Sequence, residues 1–368
     1  MTSKTSGVRI LFTGQYWPGA NSLYIARAFE QSGAVIRWLN DTNLWPEWSS
    51  FAGRVARRLL HPLVEAEWNR QLLQSFNTFK PDLVYITNAD YCWPKTLDFI
   101  HKHGVPIMCF YHDPPWQNRP GSRFAENITH FDLIATTRHW HEAEFKAAGA
   151  KAVAVVRFGY EPLVHRPVTL NNSLYQQYAA DITFIGSYRA HRLGDLTTLT
   201  ATDFPYSFRI WGNQWDRIES SDPIRRYWQG RDVLEQEMPF VYAASKVALH
   251  WVNWEPHSTD LALQRGDQHN SRTFQIAACG GAIMIAQRTQ EHQELFKEDV
   301  EAVFFDAEPE LRSKLAYWLA PERESQRRQM ALAARQRCIT QDYSYVPVVL
   351  DFLFRLGFTD STVRNDVG

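Results

Sequence analysis

Short apolar runs, each closed by glycine or a polar turn and followed by a helical stretch, recur along most of this 368-residue chain. Val8–Thr13 stops at Gly14 and gives way to the helical stretch Ser22–Ser32. Gly33 ends that helix, and Ala34–Leu39 begins the next run. Apolar runs of this length predict strands buried on both faces, and strands alternating with helices predict a parallel, doubly wound sheet. Further strands are expected at Pro81–Ile86, Val105–Tyr111, Leu133–Thr137 and Ala152–Val156, with a long helical pattern over 51–79. Gly159, Pro162, Pro167 and the polar stretch Asn171–Gln177 read as a linker. A second series then follows: Ile182–Gly186, Phe208–Trp211, Arg226–Trp228, Val247–Val252, Ala282–Ala286 and Ala302–Phe305. The expected fold is α/β with two Rossmann-like domains, 1–165 and 166–345, and a C-terminal helix in 346–368.

Composition narrows the function. Hydrophobic residues at 45% and charged residues at 21% fit a globular chain, and a net charge of −1 offers no bulk attraction to nucleic acid. The first ~165 residues carry about +3 and the rest about −4. That asymmetry suits an anionic or membrane-bound acceptor on the N-terminal half. Arg54, Arg57 and Arg58, among Val55, Leu59 and Leu60, would make either a lipid-docking stretch or a solvated basic face. Cys92, Cys109, Cys279 and Cys338 lack metal or redox spacing. With no signal-peptide core and no membrane-length apolar run, a cytoplasmic protein is expected.

The segment Asn270-Ser271-Arg272-Thr273-Phe274-Gln275-Ile276-Ala277-Ala278-Cys279-Gly280-Gly281 reads as a capped helix, a glycine stop and a buried strand. Asn270 or Ser271 suits the N-cap. Unpaired amides and the dipole at such a helix start suit a diphosphate, and Gln275 one turn on suits sugar hydroxyls. An ordinary buried helix with a glycine cap has the same pattern.

Residues 270–345 resemble the C-terminal module of the CgeB-type (spore maturation protein) glycosyltransferases, which belong to the GT-B group. The matching pieces are the helix just described, Glu294-Leu295-Phe296, Glu301–Phe305, Leu311–Leu319, Arg327 to Arg337 and Tyr343-Ser344-Tyr345. Phe184-Ile185-Gly186-Ser187 with Arg192, and Phe131–Thr137 continuing to Gly149-Ala150, match earlier parts of the family. The resemblance implies two facing domains with a deep interdomain cleft and a tail helix crossing back to the first. It also implies transfer of a sugar from a nucleotide-sugar donor, with retention and without metal; the chain has no Asp-x-Asp. The acceptor stays open among glycan, protein and small molecule. A non-catalytic nucleotide- or sugar-binding scaffold and an enzyme glycosylating nucleic acid remain the alternatives.

On this resemblance the donor is held by Gly186, Ser187, Arg192, Gly230, Asn270, Ser271, Arg272, Thr273 and Gln275, with no separate cofactor. The family's two glutamates, eight positions apart, fall on Asp267 and Gln275, a departure at both sites. In the first domain His112 and Asp113 follow an apolar strand directly and precede Pro114 and Pro115. Related enzymes keep a histidine or an aspartate pair here, which makes these two the expected catalytic residues. A packed histidine and a turn-forming aspartate would give the same residues. The loop Gly14–Ser22 is expected to touch donor or acceptor, or to form a plain βα turn.

Overall fold

The computed structural model describes residues 7–41, 51–113, 116, 122–201 and 204–358, without the side chains of 51–54 and 56–58. Pro114 and Pro115, and the side chains of Arg54, Arg57 and Arg58, therefore lie outside the described residues. The chain forms two compact units, one of residues 1–157 with 345–368 and one of 158–344.

In the first unit the elements run β1 (Arg9–Gly14), α1 (Asn21–Gln31), β2 (Val35–Asn40), α2 (Phe51–Phe79), β3 (Leu83–Thr87) and α3 (Pro94–His101). They continue with β4 (Ile107–Phe110), α4 (Phe124–Asn127), β5 (Leu133–Thr136), α5 (His139–Ala147) and β6 (Val153–Val155). The strands form one parallel sheet in the order β2-β1-β3-β4-β5-β6. Ile10, Leu11, Phe12, Leu83, Val84 and Ile86 are fully shielded, as strands covered by helices on both faces must be. Trp68, Leu72 and Phe76 of α2 join Val84, Ile107 and Ile134 in the core.

The second unit contains α6 (Asn172–Tyr178), β7 (Ala180–Ile185), α7 (Ala190–Thr200), β8 (Phe208–Trp211), α8 (Met238–Ala243) and β9 (Ser245–His250). After these come α9 (Leu261–Arg265), α10 (Ser271–Cys279), β10 (Ile283–Gln287), α11 (Gln290–Leu295), β11 (Val303–Phe305), α12 (Glu308–Leu319) and α13 (Glu324–Thr340). Its parallel sheet has the order β11-β10-β9-β7-β8. The last helix, α14 (Val346–Arg355), belongs to the first unit, where Tyr345 donates its hydroxyl to Asn21 Oδ1 at 3.0 Å. Among the described residues no helix is long and apolar enough to cross a membrane.

Two expected elements differ. Residues 226–228 are not a strand: Pro223–Tyr227 is a 3-10 helix with Pro223 at its first turn, and only Trp228 bridges to β8. Proline fixes a helical φ and lacks the amide a ladder needs, which favours the turn. The polar stretch Asn171–Gln177 is mostly helical, because the Asn171 side chain accepts from the Leu174 amide at 2.9 Å and caps α6.

In each sheet the strand order reverses beside the first strand, between β1 and β3 and between β7 and β9. Ligands in open α/β sheets bind beyond the carboxyl ends at such points. In the second unit the approach there is very close. Gly212 has φ +144°, and a Cβ on it would lie 2.1 Å from the Gly186 carbonyl oxygen. Gly212→Ala is expected to cost about 2–4 kcal/mol in urea unfolding followed by tryptophan fluorescence. Gly194→Ala within α7, where nothing lies within 4 Å, is the control and should hold or raise stability.

Candidate functional site

The loop leaving β7 is fastened to the loop leaving β8. Gly186 donates its amide to the Trp211 carbonyl at 2.8 Å and accepts the Trp215 indole N–H at 2.8 Å, and the Tyr188 amide donates to Asn213 O at 2.9 Å. Behind this loop, in the first turn of α7, Arg192 is 7% exposed. One guanidinium nitrogen donates to Asn253 Oδ1 at 2.6 Å, the group stands 6.0 Å from the Phe184 ring, and Nε makes no hydrogen bond. A Cβ on Gly186 would come within 3.6 Å of its Nη1. Among the described residues Arg192 makes no ion pair. Burial, with Arg189 adding to it and Asp267 opposing, pushes it down to about 10. A shielded cation held by one neutral amide is an arrangement an anion would complete.

Asn253 links Arg192 to α10. Its backbone carbonyl accepts the Asp267 amide at 3.0 Å, and a Cβ on Gly266 would lie 1.9 Å from that carbonyl oxygen, so only glycine fits there. Asp267, His269 and the start of α10 follow directly. Asn270 is the N-cap: its side chain accepts the Arg272 amide at 2.8 Å. Ser271, half-buried at the first helical position, hydrogen-bonds to no other described residue through its side chain.

A buried polar network holds this helix start. His292 Nδ1 faces the Gln287 carbonyl at 2.8 Å and must donate to it, leaving Nε2 to accept. Thr273 therefore donates its hydroxyl to His292 Nε2 (3.0 Å) and accepts N–H donation from His250 Nε2 (2.9 Å) and from the Asn270 amide (3.3 Å). His269 Nε2 accepts the Phe158 amide at 3.1 Å, so its Nδ1–H donates to Glu291. Burial drives His292 down to about 4 and His250 well below its usual value, which keeps both neutral.

The expected donor residues thus fall into groups. Gly186, Ser187, Arg192, Asn270 and Ser271 lie along the carboxyl edge of β7 and β9 and the start of α10. Thr273 is fully buried, and its hydroxyl is engaged by the network that holds the helix start. Gln275 is 2% exposed and its side-chain oxygen accepts from Arg272 at 2.8 Å, while the same Arg272 nitrogen contacts Met238 Sδ. Gln275 and Arg272 are therefore turned to each other. Gly230 sits in an exposed turn at φ +76°, joined to the β8 edge where Arg231 O accepts the Gly212 amide at 3.0 Å. Asn253 is the residue sequence reasoning missed, although it follows the apolar run of β9 just as His112 follows β4.

In the first unit Asp113 Oδ2 accepts from Asn88 Nδ2 at 3.1 Å, and buried Arg138 donates to the His112 carbonyl. Asn88 (φ +58°) and Ala89 (φ +55°) are consecutive non-glycine residues in the left-handed region at the end of β3. Such strain collects at functional sites. In the loop from Gly14 to Ser22, Tyr16 and Trp17 are exposed, and Trp38 donates its indole N–H to Gly14 O at 3.1 Å. Next to β2, Asp41 accepts the Trp68 indole N–H at 2.6 Å; burial and nearby Asp90 outweigh that bond and raise it to about 7. His141 faces Thr136 Oγ1 at 2.8 Å in the core, and burial lowers it to about 3. A cavity of about 680 Å³ between α12 and α13 is lined by none of these residues.

Residues 192–353 match the family described as glycosyl transferase-like. The whole chain is similar to HepE of Anabaena, solved with UDP-glucose, at 15% identity and TM-score 0.60 over 95% of this chain and 99% of that one. It is similar to sucrose-phosphate synthase of Thermosynechococcus elongatus at 13% identity and TM-score 0.63, covering 95% and 99%. An α-glucosyltransferase solved with UDP-glucose and DNA containing an abasic site gives 12% identity and TM-score 0.66, covering 96% and 100%. No curated protein sequence matches the chain significantly. This chain has a GT-B glycosyltransferase fold. The two parallel Rossmann-like sheets agree with the fold class read from the sequence, and the family match lies over the C-terminal part of the resemblance.

The neutral histidines set a pH dependence. Unfolded, His292 titrates near 6.5, and folded near 4, so between these values the unfolded chain binds more protons. Stability is fully present above about pH 6.5 and falls as pH drops, His292 alone costing about 3 kcal/mol by pH 4. Urea midpoints at pH 7 and pH 5 check this; equal midpoints would contradict it.

Proposed function

We propose that this protein is a glycosyltransferase that moves a sugar from a nucleoside diphosphate sugar to an acceptor hydroxyl, with retention and without a metal ion, in the cytoplasm. The observation that carries the proposal is Arg192: a buried guanidinium at the switch point of the second unit, held among the described residues by Asn253 alone and with Nε unmatched there. As the glycosidic bond breaks, negative charge builds on the leaving diphosphate. A fixed cation in a shielded site stabilises that charge without reorganising, and Ser271 at the start of α10 adds polar groups on the same edge. Uridine diphosphate is the first nucleotide to test, because the HepE and α-glucosyltransferase structures contain UDP-glucose. Narrower membership of the CgeB type belongs to this proposal, on the motifs quoted above.

His112 and Asp113 are proposed to act on the reacting sugar or the acceptor hydroxyl. Asn88 orients the Asp113 carboxylate, and Arg138 fixes the backbone at His112. Both residues stand at the carboxyl end of β4, where an open α/β sheet presents side chains to a ligand. A nucleic-acid acceptor is the second reading, favoured by the likeness to the α-glucosyltransferase solved with DNA. The net charge of −1 gives it no electrostatic help.

Two outcomes are expected. Arg192→Ala should weaken UDP binding at least tenfold by calorimetry, since a charge-assisted contact of about 1.5–3 kcal/mol is lost. Binding equal to wild type would remove the assignment. His112→Ala and Asp113→Ala should each lower UDP release from UDP-sugars by about 100-fold or more, with UDP affinity within about threefold of wild type. Unchanged turnover in both would remove the first unit's residues from the reaction.

A further inference from the structure

The 29-residue helix α2 changes its apolar side partway along. From Trp68 onward Trp68, Leu72, Phe76 and Phe79 repeat every three or four residues and are buried in the first unit. Before Trp68 the pattern is different. Val55, Leu59 and Leu63 are spaced by four and share one face, with Leu60 beside them, and all four are exposed, Leu59 at 74% and Leu63 at 66%. The step of five residues from Leu63 to Trp68 carries the apolar stripe about 140° around the axis. The amino-terminal stripe thus points away from the core that the carboxyl-terminal stripe covers. Four of the seven large apolar side chains exposed on the described residues of this unit belong to this one stripe, the others being Tyr16, Trp17 and Val35. A concentration of that kind marks an interaction surface.

Charge decides between partners. The stretch from Phe51 to Val64 contains Arg54, Arg57, Arg58 and His61 and no carboxylate. A second copy of the chain laid on this stripe would bring two such basic stretches together with nothing on either to pair them. The occupant must supply negative charge and accept a convex row of leucines without a shaped pocket. An anionic lipid surface does both: it takes an apolar helix face into its headgroup boundary and attracts the basic residues of the same turns.

We propose that the amino-terminal half of α2 lies on an anionic membrane surface and docks the protein there. The inference does not depend on the donor site, and its test leaves that site untouched. Purified full-length protein would be floated with phosphatidylglycerol–phosphatidylcholine vesicles and, separately, with phosphatidylcholine vesicles. The expected result is flotation with the anionic vesicles, at least fivefold less with the neutral ones, and release by salt. Leu59→Asp/Leu63→Asp should lower binding at least tenfold without changing the melting temperature or UDP binding, because both side chains are already in water. Arg57→Glu/Arg58→Glu should do the same on anionic vesicles alone. Wild-type protein that stays with the buffer, binds both vesicles equally, or floats as well after the leucine substitutions would overturn the proposal. So would a dimer in sedimentation that the leucine substitutions dissolve while no vesicle binding is seen.

Discussion

A guanidinium shut away from water and hydrogen-bonded, among the described residues, through its side chain to an asparagine oxygen alone is the constraint around which the second unit is arranged. Removing a charge from water is costly unless something answers it, and Arg192 is answered in part by Asn253 and, at longer range, by Asp267. Its surroundings are fixed by close backbone contacts. Gly212 lies against Gly186, and Gly266 lies against Asn253; neither position admits a side chain. The result is a cation held rigidly at the carboxyl edge of a parallel sheet, with N–H donors left over among the described residues.

The same economy governs α10. A helix start near a charged ligand must not drift, and here its cap is tied from both sides. Asn270 holds the Arg272 amide, and Thr273 passes a directional chain of hydrogen bonds from His250 to His292 and on to the Gln287 carbonyl. The histidines are neutral because they are buried, and neutrality is what lets each ring nitrogen take a single defined role. Acid strong enough to protonate His292, near pH 4, would undo that definition.

Much of this was legible in the residues. Two series of apolar runs separated by helical stretches give two parallel sheets, and the helix predicted over 51–79 spans those same residues. A cap at Asn270 or Ser271 and a glycine stop follow from local chemistry: the structure puts the capping bond on Asn270 and gives Gly280 φ +62°. What the residues alone did not show shares a cause. Spacing places Thr273 and Gln275 near a helix start, yet which face of that helix is covered depends on β9, α8 and α11, which are distant in sequence. Pattern alone cannot tell a hydroxyl that meets a ligand from one that meets two histidines. Asn253 escaped notice because a single asparagine after a strand carries no periodicity. The face change in α2 is written in its spacing, but only burial reveals which of its two stripes is covered.

The most direct test of the central claim is a crystal structure with UDP or a UDP-sugar bound. The account predicts a diphosphate oxygen within hydrogen-bond distance of Arg192, with Ser271 beside it. Nucleotide seated elsewhere, with Arg192 still paired to Asn253 alone, would contradict it.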